Sequence, residues 1–367
     1  MTKRWSELSL SERRQHVGQL VLLTPALTGA MSLVGDLWDS WREAPEGEIS
    51  FIQGETRAGK TTALDEFMLE KHAEHVKLYA GREGYEVSPL ADNSALWALE
   101  IRTPSGWLRP IIKVQVPKKA KYKALFEAVL FTLMNLTKIP ARMSTEKYLL
   151  QILVKQLHEQ QTRVIIFDEC HHISEFRNPD GAYDAGDVFK NIAKCGRTGV
   201  VCTGLPHMME IADANPQVRE SERDRFTVAP FPLDLAAGSD LRMFMTALNE
   251  QLPFDQPSCL ADDDVIYRIA LLRDGFAGRI ARFVQQVTGY ALSVGAPCID
   301  MPTLKAFLRV KKGVADAENI FLMSRDEAAD YPAAVQKALR MRALQAQKRR
   351  GRHAARQESR HQFGARE

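Results

Sequence analysis

The stretch QGETRAGKTTALDEF, residues 53–67, sets two glycines, a lysine and two threonines directly after a short apolar run, EISFIQG at 48–54, and directly before a helix-like segment over 60–75. Gly54, Gly59, Lys60 and Thr61 satisfy the pattern G-x-x-x-x-G-K-[ST] in full, in the strand, loop and helix order that this pattern requires. The glycines allow the backbone to wrap tightly, so that amide N–H groups point inward, and the helix N-terminus adds partial positive charge. Gly54, Glu55, Thr56, Arg57, Ala58, Gly59, Lys60, Thr61 and Thr62 therefore make a candidate phosphate cradle. Lys60 is expected at the β- and γ-phosphates of ATP, and the Thr61 hydroxyl at a Mg²⁺ ion bridging them.

Such a site needs a second element to hold the metal and prime a water. The run VIIFDE, residues 164–169, offers it about a hundred residues downstream. Asp168 at a strand's carboxyl end can hold Mg²⁺, and Glu169 can orient or deprotonate the attacking water. Taken alone, two acids ending an apolar strand are also an ordinary solvated strand end. Cys170, His171 and His172 follow at once, yet three consecutive residues on a regular element cannot all face one ion, which argues against zinc. One of these histidines is expected to pack or hydrogen-bond beside the acids.

Thr203 ends the buried run GVVCTG, residues 199–204, at the edge where open α/β sheets place their ligand crevice. It is a candidate sensor of the γ-phosphate or the attacking water, or simply a threonine closing a strand. The segment NPQVRESERDRFTV, 215–228, reads as a charged loop carrying Arg219, Arg223 and Arg225. One of them is a candidate finger inserted into a neighbouring subunit's nucleotide; the plain alternative is a solvated loop. Arg279, in GFAGRIARF at 275–283, starts a helix and is placed to fold back onto the phosphates.

Strand-like runs alternate with helical ones up to about residue 236, which argues for a parallel sheet in an α/β layer fold. Thr24-Pro25 opens an amphipathic helix, 77–109 reads as an inserted β-hairpin, PIIKVQV at 110–116 as a core strand, and RNPDGAYDAGD at 177–187 as a Gly/Asp-rich loop. Beyond about 238 the pattern is helical only. The expected division is an N-terminal helical segment (1–46), an ATPase core (47–236), a helical lid (237–315), and a C-terminal helix with a basic tail (316–367).

A chain of 367 residues suits two domains, and 45% hydrophobic with 26% charged residues is ordinary globular composition. No apolar run approaches the roughly 20 residues of a membrane helix, and the N-terminus lacks a secretory pattern, so a cytoplasmic protein without a membrane is expected. Five cysteines, odd in number and never in a C-x-x-C pair, argue against a disulfide framework. The formal charge of +3 is uneven: the tail from Arg340 onward carries a local +7, and the remainder is acidic. Such a tail suits a basic arm for DNA or an acidic partner.

Taken in order, GETRAGKT, VIIFDE, a strand ending in Thr203, arginines ending in RF and a helical segment with GRI resemble the AAA+ ATPases. VPKK at 116–119, FDECHH at 167–172, NPQV with RDRF, and GFAGRIARFV with ALSVGAPCID bring the resemblance closer to the TniB/TnsC group of transposition regulators, relatives of phage MuB. It spans roughly residues 15–310 and implies a P-loop AAA+ sheet flanked by helices and followed by a helical lid. It further implies Arg225 as finger, with Arg223 second. ATP binding would assemble such a protein as a ring or helical filament on double-stranded DNA, where a transposase and a target selector meet it; hydrolysis would disassemble it. VPKKAKYK at 116–123 then supplies candidate DNA contacts in Lys118, Lys119, Lys121 and Lys123. Lysines near a helix N-terminus oppose its dipole, a hint that another demand keeps them there. Two other readings of the same motifs stand beside this one: a AAA+ machine that remodels protein, and a helicase-loader-type ATPase.

Overall fold

The computed structural model describes residues 4–43, 45–89, 98–118, 122–134, 145–174 and 181–331. Lys119, Lys121 and the basic tail lie outside them. The chain divides into two compact units, Leu23–Pro230 and a second made of Met1–Leu22 with Phe231–Glu367. The 1–46 stretch thus splits: α1 (Leu10–Gln19) belongs with the C-terminal helices, and α2 (Pro25–Asp39) opens the other unit.

In the Leu23–Pro230 unit, the Thr24 hydroxyl caps α2, and Leu27, Ala30, Val34, Leu37 and Trp38 form its buried stripe. β1 (Ile49–Gln53) and α3 (Lys60–Tyr79) flank the glycine loop. β2 (Glu86–Val87), β3 (Ile101–Thr103) and β4 (Gly106–Leu108) form a small antiparallel sheet, in which β3 and β4 are the hairpin expected between 77 and 109. Then come β5 (Ile111–Gln115), α4 (Tyr122–Met134), α5 (Glu146–Glu159), β6 (Val164–Asp168) and the short α6 (His171–Ser174). The unit ends with α7 (Gly181–Gly196), β7 (Gly199–Gly204), α8 (Glu210–Ala214), α9 (Pro216–Glu220) and β8 (Glu222–Thr227).

β5, β6, β7, β1 and β8 lie side by side in that order, every neighbouring pair parallel. β6 and β7 are buried along their whole length, as their unbroken apolar runs require of strands covered on both faces. This order sets the carboxyl ends of β6, β7 and β1 next to one another, which is where the sheet can hold a ligand.

Two segments differ from the loops expected. Residues 181–187 belong to α7: Ala185, Val188, Phe189 and Ile192 recur at helical spacing and are buried, and Asp184 in the first turn suits the helix N-terminus. Residues 215–227 form α9 and β8 rather than a loop. Asn215 caps α9 through Gln217 N–H, and β8 is a largely exposed edge strand whose charges guard an open sheet edge.

In the other unit, α10 (Asp240–Glu250), α11 (Asp263–Leu272), α12 (Ala277–Ser293), α13 (Met301–Lys312) and α14 (Arg325–Ala329) surround Phe244, Ile269, Phe283, Phe307 and Phe321. Helix α1 docks on it: Trp5 and Ser6 N–H donate to Asp255, and Arg13 donates to the Pro253 carbonyl. Its start is closed by Ser9 and Glu12, which form a reciprocal capping box.

Candidate nucleotide-binding site

The glycine loop runs from the end of β1 into α3. Gly54 N–H donates to the Gly204 carbonyl at 3.2 Å, tying the loop to the end of β7. A β-carbon on Gly54 would stand 3.1 Å from the Val228 carbonyl oxygen, a contact tight enough that the backbone there would have to give. Gly59 has φ +111°, and a β-carbon on it would meet Leu27 at 2.7 Å. The positive φ is what favours glycine there, since the end of the Leu27 side chain can move aside. The Lys60 ammonium is folded over this bend, donating to the carbonyls of Gly54 at 2.6 Å and Glu55 at 3.0 Å, and the residue is buried. A cation held over an arch of backbone with a helix N-terminus below it suits a polyphosphate.

In the first turn of α3, Thr61 Oγ1 donates to Asp168 Oδ2 at 3.0 Å. From the adjacent β7, Thr203 Oγ1 donates to Asp168 Oδ1 at 2.6 Å, and Glu169 N–H donates to the same oxygen at 2.9 Å. The sheet register produces this meeting, because Thr203 pairs with Ile52 at the end of β1 and Asp168 ends β6 beside β7. A carboxylate flanked by two hydroxyls is an oxygen-only donor set, which fits Mg²⁺. Thr203 therefore stands as the group that orients Asp168.

Glu169 has φ +63°, a left-handed conformation uncommon outside glycine. The turn folds its carboxylate back to 3.2 Å from His171 Nε2 and 4.0 Å from His172 Nε2. His172 Nδ1 lies 3.0 Å from the Val116 carbonyl, so that nitrogen carries the hydrogen and Nε2 faces Glu169. Ligand-capable atoms of Glu169, His171 and His172 all lie within 4.8 Å of one another. Cys170 is not part of this group, its Sγ donating to the Phe167 carbonyl, so the consecutive residues 170–172 do not converge; the left-handed Glu169 turns its own carboxylate back onto the two histidines.

Two partners in the site escaped sequence reading. Asp65, one turn beyond Thr61, forms an ion pair with Lys113 of β5, whose side chain is 5% exposed. Burial pushes the Asp65 carboxyl up; Lys113 opposes this, and the negative charge of Asp168 adds to it. The available signal was the lysine inside PIIKVQV: a charge in the middle of a buried strand needs a buried partner.

The arginines lie elsewhere in the unit. Arg223 donates to Glu48 and to Ser40 Oγ, and Arg225 donates to Glu222 at 2.8 Å and to Asp213 at 3.3 Å. Arg219 reaches Asp213 at 4.0 Å. None of these bonds involves the cradle. Arg279 is in the helical unit, where it donates to Asp274 at 2.6 Å and its guanidinium covers the Phe276 ring. Lys118 is exposed just beyond Val116, and Lys123 lies on α4, 3.6 Å from Glu127. The cysteines are free thiols, with Cys170 and Cys202 buried. No described helix is long and apolar enough to cross a membrane.

Residues 100–233 match the family model described as bacterial TniB protein, a span that includes Asp168 and Glu169. No curated protein matches the chain. Among solved structures the chain is similar to Drosophila ORC bound to DNA, with 12% identity, 89% of this chain and 72% of that one covered, and a TM-score of 0.53. It is similar to Aeropyrum pernix ORC2 in its ADPNP–ADP complexes, with 12% identity, 83% and 76% covered, and a TM-score of 0.52. Pyrobaculum aerophilum Cdc6p gives 14% identity, 87% and 82% covered, and a TM-score of 0.51. At such identities the likeness is one of fold: a parallel P-loop sheet flanked by helices, with a helical C-terminal region. The cradle and the acidic pair meet as a nucleotide site requires, and the acidic pair lies within the span that matches the TniB model.

Proposed function

We propose that this chain is a TniB-type AAA+ ATPase that regulates DNA transposition, acting in the cytoplasm. With ATP bound it assembles on double-stranded DNA without sequence preference, as a ring or helical filament, and recruits a transposase and a target selector. Hydrolysis then releases it. In this reading the loop amides and Lys60 bind the β- and γ-phosphates, and Thr61 and Asp168 hold Mg²⁺. Glu169 orients the attacking water, and Arg225, or failing it Arg223, reaches the nucleotide of the next subunit. The metal, when bound, would supply charge neutralisation on the phosphates.

The observation that carries this reading is the path from the acidic pair to the candidate DNA lysines. Val116 N–H donates to the Asp168 carbonyl at 2.8 Å, and the Val116 carbonyl accepts from His172, which faces Glu169. Pro117 and Lys118 follow immediately. A phosphate backbone drawn to Lys118 and Lys123 would therefore pull on the segment that holds the hydrolytic acids. The DNA in the Drosophila ORC structure supports the assignment by analogy of fold.

Fluorescence anisotropy with a random-sequence duplex tests it. Binding should require ATP or a slowly hydrolysed analogue, and log K should fall with log salt by about 0.9 per phosphate neutralised. Nucleotide-independent binding, or none at low salt, contradicts the proposal. A protein remodeller would leave the duplex unbound and hydrolyse ATP in response to protein instead.

A further inference from the structure

The nucleotide residues stand at the carboxyl ends of the strands. A separate cavity of about 350 Å³ opens at the opposite ends of β6 and β7, in the same unit, lined by Trp41, Arg42, Leu157, His158, Thr162 and Arg197. Its floor is buried, with Leu157 and Thr162 each 1% exposed, whereas Arg42, His158 and Arg197 are exposed around it. The Thr162 hydroxyl oxygen is buried and has no hydrogen-bond partner among the described residues. A buried polar group left without a bond costs stability, and a ligand atom reaching it would remove that cost.

The rim gathers like charge. The guanidinium groups of Arg42 and Arg163 lie over the Trp41 ring, 4.0 and 4.8 Å from its centre. Burial, and then the charge of Arg42, pulls the Arg163 pKa below its ordinary value. Among the described residues, neither the Arg42 nor the Arg197 side chain has a hydrogen bond or an ion pair. α2, α5 and α7 end nearby at Asp39, Glu159 and Gly196, and helix C-termini favour cations. That role would engage the guanidinium donors on the terminal carbonyls, and neither Arg42 nor Arg197 is so engaged.

We propose that this cavity is a docking site for an acidic peptide segment of a partner protein, whose carboxylates pair with Arg42 and Arg197 while the Thr162 hydroxyl bonds the segment's polar atoms. Planar guanidinium forks match carboxylates with paired hydrogen bonds. A nucleotide is disfavoured because guanidinium groups already cover the Trp41 ring on which a base would stack. A duplex is disfavoured because phosphate contacts need only exposed cations and no buried apolar floor. The inference is independent of DNA binding and stands if that proposal fails.

The test uses the full chain and a fluorescein-labelled hexaglutamate peptide, read by anisotropy at low salt. Saturable binding is expected, weakened about tenfold or more by Arg42→Glu with Arg197→Glu, since each lost charge-assisted bond is worth that order. Thr162→Val should weaken it several-fold, as about one hydrogen bond is lost. Affinity for a fluorescent ATP analogue should be the same in all variants, which also reports that they are folded; if the glutamate pair loses it, Arg42→Gln with Arg197→Gln decides. Equal peptide binding by wild type and the paired variant would overturn the proposal, as would a paired variant that loses duplex binding more than peptide binding.

Discussion

Thr61 and Asp168 are joined directly: the threonine hydroxyl donates to Asp168 Oδ2 at 3.0 Å, tying the first turn of α3 to the end of β6. The bond sets side by side two oxygen donors of the kind a divalent cation takes. Thr61→Ala should raise the Mg²⁺ concentration needed for nucleotide binding by about 10-fold or more, the usual scale for a disturbed metal site. Thr61→Ser should restore it. A Mg²⁺ titration followed with a fluorescent ATP analogue measures this, and an unchanged requirement would remove Thr61 from the metal site.

Lys60 now satisfies its buried ammonium on the carbonyls of Gly54 and Glu55, which phosphate oxygens would replace. Lys60→Ala should weaken ATP binding about 10- to 100-fold, the worth of a charge-assisted hydrogen bond. Assembly on DNA should be lost with it. A direct titration showing wild-type affinity would contradict the cradle.

Glu169→Gln should keep nucleotide affinity and lower turnover by about 10² to 10⁴, the range for losing a positioned general base. Assembled protein should then persist long after ATP addition. Rapid turnover in a phosphate-release assay would show that another group primes the water.

Arg223 and Arg225 separate by their partners. Arg223 is tied to Glu48 and Ser40 within its own unit, so Arg223→Ala should cost about 1 kcal/mol or less of stability, as surface ion pairs do, with hydrolysis intact. Arg225→Ala should bind ATP as a monomer yet lose about 10³-fold or more of the assembled rate, the contribution of a finger in trans. Mixing Arg225→Ala with Lys60→Ala should recover activity at the mixed interfaces. If Arg223→Ala shows the turnover defect instead, the two roles are exchanged.

His75 gives the nucleotide unit an acid sensitivity. Its ring is buried against Trp38, and its pKa is held below the ordinary 6.5, first by burial and further by the charge of Arg163, with the bond to the Lys71 carbonyl opposing. The unfolded chain therefore takes up this proton before the folded one does, and stability falls as pH drops through the unfolded value. Thermal melts from about pH 7.5 to 5.5 should lose more for the wild type than for His75→Gln. Parallel slopes would mean that other groups control the acid limb.

The sequence spelled out those parts of the site whose spacing encodes backbone geometry. Gly54, Gly59, Lys60 and Thr61 must form one kind of bend, and Asp168 must end a buried strand, so both are legible from residue order alone. What depended on tertiary meeting was not: Asp65 on α3 and Lys113 on β5 are 48 residues apart. The convergence of Glu169, His171 and His172 rests on a single left-handed residue, which no periodicity announces. Only the start of α7, residues 181–187, was hidden, because its glycines and aspartates read as a loop, whereas Val188, Phe189 and Ile192 already had helical spacing. β8 was hidden because an exposed edge strand shows no apolar alternation.

The central claim is that the nucleotide site switches assembly on DNA. Sedimentation of the full chain with a random-sequence duplex, with and without a slowly hydrolysed ATP analogue, tests it most directly. The account predicts small species without nucleotide and large DNA-bound assemblies with the analogue, which Lys60→Ala fails to form. Assemblies of the same size in all three samples, or none in any, would contradict it.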